Sequence, residues 1–245
     1  MAKARFFVEG VLGPSTIGTE LELPDAAAHH AVRVLRLAAG DVLTLFDGSG
    51  GEYTATLVDT AKRGARVRID RFDGIDRESP FAITLVQAVA ANDAMDYAVR
   101  KAVELGVSAI APVMMARSAS LPAGKRAERR RQHWQQIAIA ACEQSGRNAV
   151  PPVAAPCTLQ TWLADWHGTA FVCVPEAAAG WSTLARPSGS VAVVVGPEGG
   201  ITPEEIKRLQ ENGILPLRLG PRTLRTETAG VVAVALMQAL WGDLK

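Results

Sequence analysis

Cysteine is scarce in this chain: Cys142, Cys157 and Cys173 are the whole complement, an odd number with no Cys-x-x-Cys spacing. That excludes a disulfide framework and a thiolate zinc site, so no metal is expected, and the three thiols read as packing residues in a reducing compartment. No uninterrupted apolar run reaches membrane-spanning length, and Glu9 breaks the apolar stretch Phe6-Phe7-Val8 near the amino terminus. Neither a spanning helix nor a signal segment is predicted, and a cytoplasmic location is expected. Aromatics are few, at 5%, and the tryptophans at 134, 162, 166, 181 and 241 are scattered, so no base-stacking platform is read from them. Charge of one sign is also lacking. The net charge of +1 counts against a nucleic-acid partner, because domains that bind RNA through phosphate contacts are usually clearly basic, an objection that local clustering softens.

What is present is enough apolar material for a real core: 48% of 245 residues, sufficient for one large or two small domains. The chain divides at 73–80, a polar, turn-rich stretch without periodicity. Before it, in residues 1–72, Val42 to Phe46, Glu52 to Val58 and Ala65 to Ile69 alternate as strands, with Asp47-Gly48 and Lys62-Arg63-Gly64 as turns. One helix interrupts them, capped near Asp25, running to Leu37 and closed by Gly40. After it, in residues 81–245, strands at Ala82 to Val89, Val107 to Met114, Ala170 to Val174 and Val191 to Val195 alternate with helices at Ala94 to Leu105 and Thr158 to Trp166. Such alternation predicts an α/β domain with a parallel sheet covered by helices on both faces.

Positive charge clusters locally. Lys125, Arg126, Arg129, Arg130 and Arg131 crowd the start of a helix whose apolar stripe is Trp134, Ile137, Ala138, Ala141 and Cys142. Cations there oppose the helix dipole, so they do not serve helix stability. They form either a solvated face or a phosphate contact.

Two loops near the carboxyl end carry the most information. Val191 to Val195 is a buried strand that runs into Gly196-Pro197-Glu198-Gly199-Gly200, and a loop at the carboxyl end of such a strand is a binding position. Thr202-Pro203-Glu204-Glu205 restarts the chain as a helix, with Thr202 as N-cap, Pro203 in first place and Glu205 closing a capping box; Asn212-Gly213 ends it. Glu198 would repel a pyrophosphate, and neither a Walker lysine nor a GxGxxG spacing is present. The loop therefore either takes a ligand with cationic character or is a tight turn whose Glu caps a neighbour. The second loop, Leu219 to Gly230, presents Arg222, Arg225 and Glu227 just before a helix of about Glu227 to Leu240. That helix is apolar almost all round, which predicts burial on two sides, as at a subunit interface.

Gly196-Pro197-Glu198-Gly199-Gly200 and Leu219-Gly220-Pro221-Arg222-x-Leu224-Arg225-x-Glu227-Thr228-Ala229 resemble the signature loops of SPOUT methyltransferases. More narrowly, the chain resembles the bacterial small-subunit ribosomal RNA uracil-N3 methyltransferase family. The likeness extends to His30-x-x-Arg33-Val34-Leu35-Arg36, Phe46-Asp47-Gly48, Lys101 to Val107 and Ile137 to Asn148, and so covers nearly the whole chain in order.

The resemblance implies an amino-terminal PUA-like β-barrel that touches RNA and a carboxyl-terminal domain threaded into a deep trefoil knot, which general topology rules would not predict. It implies S-adenosylmethionine as cofactor, held by the loop after Val174, by Gly196, Glu198 and Gly200, and by Leu219, Gly220 and Leu224. It implies a homodimer acting on N3 of a uridine in small-subunit ribosomal RNA, within the assembled 30S subunit. Arg225, then Arg222, would stabilise the uracil anion; Glu227 is either the general base or the orienting partner of Arg225. RNA contacts are expected from His30, Arg33, Arg36, Arg129, Arg130 and Arg147. Glu143, Gln144, Arg147 and Asn148 either line the uridine pocket or cap the basic helix. Where relatives often carry basic residues ahead of the Met-acidic pair, here Met95-Asp96, this chain has Ala91 and Ala94. A related enzyme acting on another base or a ribose, and a non-enzymatic RNA-binding protein of the same fold, are the alternative readings.

Overall fold

Strands with both faces covered read as unbroken apolar runs, and Val191–Val195 is such a run in the wholly parallel six-stranded sheet of the computed structural model, which describes residues 4–10, 12–61, 64–119, 124–181 and 184–245. The chain separates into two units: one of residues 1–78 with Cys142–Val150, the other of Ser79–Ala141 with Pro151–Lys245.

In the first unit β1 (Arg5–Phe7), β2 (Glu20–Glu22), β3 (Val42–Phe46), β4 (Glu52–Ala61) and β5 (Gly64–Asp73) form a sheet in the order β1-β3-β4-β5-β2. Among the described residues only the β1–β3 pairing of this sheet is parallel. Period-two alternation turns Ala65, Val67 and Ile69 inward onto Leu43, Leu45, Ala55 and Leu57. The three-residue strands β1 and β2 are too short to show periodicity, so sequence reading passes over them. Of the expected Lys62-Arg63-Gly64 turn, Lys62 and Arg63 lie outside the described residues.

The helix expected to run from Asp25 to Leu37 is shorter and irregular. Regular α1 (Asp25–His29) widens into a π turn over His30–Val34. The chain then reverses at Arg36, whose φ is +57°, four residues before Gly40. That left-handed residue lets the Leu37 N–H reach back to the Ala31 carbonyl at 3.0 Å and close the turn.

Cys142–Val150 is stitched to this unit by charge. Glu52 pairs with Arg5 and, at 3.0 Å, with Arg77; Arg5 also donates to Asn148 Oδ1 at 2.6 Å. Arg147 Nε donates to Glu78 at 2.9 Å, and the Asn148 and Ala149 N–H groups donate to the same carboxylate. Burial pushes the Glu52 carboxyl up, but the Arg5 and Arg77 guanidiniums outweigh it and hold the group below its ordinary value. Glu143 goes the other way: burial raises it, although it accepts the Phe7 N–H at 3.0 Å.

In the second unit β6 (Ile83–Ala88), β7 (Ala109–Met114), β8 (Cys157–Thr158), β9 (Thr169–Cys173), β10 (Val191–Val195) and β11 (Leu215–Leu217) lie in the order β11-β9-β10-β6-β7-β8. Chain order reverses beside β6 and β10, the kind of switch point where ligands bind beyond the strands' carboxyl ends. The helices are α2 (Asn92–Glu104), α3 (Lys125–Ser145), α4 (Leu159–Asp165), α5 (Pro203–Glu211) and α6 (Thr226–Trp241), the last turn of α3 belonging to the first unit. Thr202 caps α5 with a complete capping box to Glu205, and Gly213, at φ +77°, ends it.

In the single chain α6 buries one stripe, Thr226, Ala229, Gly230, Ala233, Val234, Met237, Gln238 and Trp241. These positions follow the three-four helical spacing, and the helix packs on α2, β6 and β10. The other side carries Val231, Val232 and Leu236, partly covered, and Leu240, 48% exposed. Among the described residues no helix is long and apolar enough to cross a membrane.

Candidate functional site

A cleft of about 1110 Å³ opens at the carboxyl ends of β6, β9 and β10. Its wall is built mainly from the start of α2, Arg117 after β7, the loop after β9, the Gly196–Gly200 loop, and Leu219 to Ala229. The structure thus brings together Val174, Gly196, Glu198, Gly200, Leu219, Gly220, Arg222, Leu224, Arg225 and Glu227, which lie up to 53 positions apart in the sequence as the numbers of Val174 and Glu227 give it.

Each glycine of the first loop answers a local demand. Gly200 sits at φ +76°, where a side chain is strained. Gly196 and Gly199 are needed for close approach: a Cβ on Gly196 would lie 2.4 Å from Ile201 Cγ1, and one on Gly199 would lie 2.9 Å from Arg117 Cβ. The loop is tied at three points. Glu198 Oε1 accepts the Ala91 N–H at 2.8 Å, the Gly199 carbonyl accepts Arg117 Nη1 at 2.9 Å, and the Gly196 carbonyl accepts Thr226 Oγ1 at 2.6 Å. Glu205 adds a fourth brace to the neighbourhood by accepting the Ala116 N–H at 2.7 Å. Of the two sequence readings of Glu198, capping of a neighbour is the one its hydrogen bond displays, and the cap stands at the wall of the cleft.

Arg225 is the N-cap residue of α6 and Glu227 lies in its first turn, where the helix dipole favours a carboxylate. Arg222 and Arg225 are exposed at the cleft wall, and among the described residues no ion pair joins either of them to Glu227. An orienting Arg225–Glu227 contact is therefore not formed in this chain. Cys173 also lines the cleft, but burial pushes its thiol up to about 12, so it stays protonated and contributes packing rather than a nucleophile.

Sequence reasoning missed Arg117, Tyr97 and Gln87. Arg117 follows β7 in an unremarkable Met-Ala-Arg-Ser stretch, and only the sheet order, in which β6 alone separates β7 from β10, puts it over Gly199. Tyr97, 42% exposed, projects from α2 into the cleft lining together with Ala91 and Ala94, the two positions that depart from the resembled family.

The residues expected to meet RNA fall into separate places. His30, Arg33 and Arg36 are all exposed on the π turn and its reversal, the His30 ring standing edge-on to Phe6 at 5.7 Å. Arg129 is exposed and Arg130 half-buried on the first half of α3. Arg147 differs: its side chain is 7% exposed and paired with Glu78, so its guanidinium serves the Cys142–Val150 segment. Asn148 is buried in the same network, bonded to the Ile75 carbonyl at 2.9 Å.

The sequence and the fold are similar to those of known methyltransferases. Residues 77–238 match the RNA methyltransferase domain family and residues 23–70 the RNA methyltransferase PUA domain family, which sets the class. A ribosomal RNA small subunit methyltransferase E from Synechocystis is 34% identical over 91% of this chain and 74% of its own, and one from Bacillus subtilis is 30% identical over 94% of each. The crystal structure of a ribosomal RNA small subunit methyltransferase E from Neisseria gonorrhoeae, bound to S-adenosyl methionine, matches at a TM-score of 0.92 with 40% identity over all of both chains. A putative methyltransferase from Legionella pneumophila, in complex with the same cofactor, matches at 0.95 with 35% identity. The chain belongs to the ribosomal RNA small subunit methyltransferase E family.

Proposed function

We propose that this protein methylates N3 of a specific uridine in the 16S ribosomal RNA of the small subunit, using S-adenosylmethionine. The observation that carries the proposal is the cleft in which the Gly196–Gly200 loop and the arginine-bearing Leu219 to Ala229 segment converge. The residues present suit such a cofactor. Backbone groups of glycine- and proline-rich loops can hold a purine and ribose, Gly220 stands at φ +126° with open space where a side chain would be, and the wall carries both carboxylates and guanidiniums for a zwitterionic amino-acid end. When bound, the cofactor supplies a methyl group on a sulfonium.

Uracil N3 lies between two carbonyls, and loss of its proton spreads negative charge over both oxygens. Arg225, with Arg222 second, is assigned to stabilise that charge, since a fixed guanidinium presents several donors to such oxygens. Glu227, not paired with Arg225, is assigned as the candidate acceptor of the N3 proton. His30, Arg33, Arg36, Arg129 and Arg130 are assigned to RNA phosphates, and Arg147 is left out because its guanidinium is engaged inside the first unit.

The finer features are part of the same proposal: a trefoil knot in the carboxyl-terminal domain, cytoplasmic action on the assembled 30S subunit, and a homodimer. The half-covered apolar side of α6, Val231, Val232, Leu236 and Leu240, supports the dimer, because such a face calls for a second surface. The test is methyl transfer from isotopically labelled S-adenosylmethionine to unmodified small subunits and to bare RNA, read by nucleoside mass spectrometry. Label in 3-methyluridine is expected, with the subunit preferred. Label in another nucleoside assigns another acceptor, and absence of label despite cofactor binding overturns the proposal.

A further inference from the structure

β6 contains one residue that its surroundings do not call for. Gln87 is 1% exposed among Leu85, Val86, Ala88 and Val89, all buried. Its Nε2 donates to Thr226 Oγ1 at 2.8 Å and, more weakly, to the Ala88 carbonyl at 3.2 Å; Thr226 Oγ1 donates onward to the Gly196 carbonyl at 2.6 Å. Its Oε1 is buried and has no hydrogen-bond partner among the described residues. The second turn of α6 makes way for it, since a Cβ on Gly230 would lie 3.0 Å from that oxygen. Leucine would fill similar space without stranding an acceptor, so packing alone does not account for a glutamine here.

The direction of the relay is fixed by proton count. A hydroxyl has one proton; with Gln87 donating to it, that proton must go to Gly196. We infer that Gln87 is a positioning residue for methyl transfer. Through Thr226 it sets the separation between Gly196, in the loop assigned to the methyl donor, and Arg225, the residue before Thr226, assigned to the acceptor. This inference rests on the function proposed above. Neither group touches a reacting atom; the amide acts by holding two loops in register.

The test compares Gln87→Leu, Thr226→Val, Thr226→Ser and the Gln87→Leu/Thr226→Val double variant with the parent protein, at saturating cofactor and over a range of small-subunit concentrations. Expected is a fall in kcat of roughly 10- to 100-fold in Gln87→Leu, with unchanged thermal midpoint and little change in KM for RNA, because a small misplacement of reacting groups acts on turnover. Thr226→Val should show a similar fall, the double variant no further fall, and Thr226→Ser recovery of most of what valine loses. A rate in Gln87→Leu within about twofold of the parent, or single losses that multiply in the double variant, overturns the inference. Should Gln87→Leu not fold, the Thr226 valine and serine pair decides alone. Should the parent protein transfer nothing, the functional reading fails by itself; the relay is then judged by calorimetric S-adenosylmethionine affinity in the same proteins, where a non-additive loss supports it and an additive or absent one overturns it.

Discussion

Glu198 accepts a hydrogen bond from the backbone N–H of Ala91 at 2.8 Å, so a carboxylate in the glycine loop after β10 holds the start of the helix after β6. Two neighbouring strand ends are thereby fixed to each other at the wall of the cleft. Glu198→Ala should weaken S-adenosylmethionine binding roughly fivefold, the equivalent of about 1 kcal/mol for one hydrogen bond at an exposed site, while Glu198→Gln keeps an acceptor oxygen and most of the affinity. Calorimetric titration checks this, and equal affinities for all three proteins would remove the contact from cofactor binding.

Arg225 stands before α6 with its guanidinium exposed at the cleft wall. Arg225→Ala should bind the cofactor normally yet lose roughly 100- to 1000-fold in kcat, as expected when one preorganised donor to a developing anion is removed. Arg225→Lys should recover little, since an ammonium cannot reproduce a planar fork of donors. Single-turnover methyl transfer measures both, and unchanged turnover in the alanine variant takes Arg225 out of the mechanism.

Leu240, 48% exposed on the uncovered side of α6, can accept a charge without disturbing the buried stripe through Met237 and Trp241. Leu240→Glu should halve the mass seen by light scattering and lower methyl transfer, leaving the fold intact by circular dichroism. A parent protein that is already a stable, active monomer would contradict the dimer.

The Glu52 carboxyl is held low because Arg5 and Arg77 outweigh the effect of burial. A depressed folded value means that the stabilisation is complete above the ordinary carboxylate range and disappears as pH falls through the folded value. Glu52→Gln should therefore cost roughly 3 kcal/mol near neutral pH, the usual scale for breaking a buried pair, and much less in acid. Urea unfolding at about pH 7 and about pH 3 compares the two proteins; a gap that does not narrow in acid would show that the pair is not the source.

Much of this molecule is legible in its sequence. Val191–Val195 is an unbroken apolar run, β-branched at all but Ala192, and is a strand buried along its whole length, and the Thr202, Pro203 and Glu205 cap of α5 is present as its spacing predicted. These features are local, governed by side-chain volume and by hydrogen bonds within one turn. Where local rules competed, reading was less complete. The helix after Asp25 gave way to a π turn and a left-handed Arg36, and the three-residue strands β1, β2 and β11 formed because partners were waiting for them.

The sequence by itself determined the two signature loops, the alternation that makes a parallel sheet, and the apolar, glycine- and proline-rich character of the cleft wall, because backbone propensity and burial period are carried by neighbouring residues. Only the tertiary structure decided that Arg147 turns to Glu78, that Arg117 lies on Gly199, and that Gln87 meets Thr226. Those pairs are separated by 69, 82 and 139 positions, and their hydrogen bonds depend on which distant segments the fold brings together, which no short stretch of chain contains.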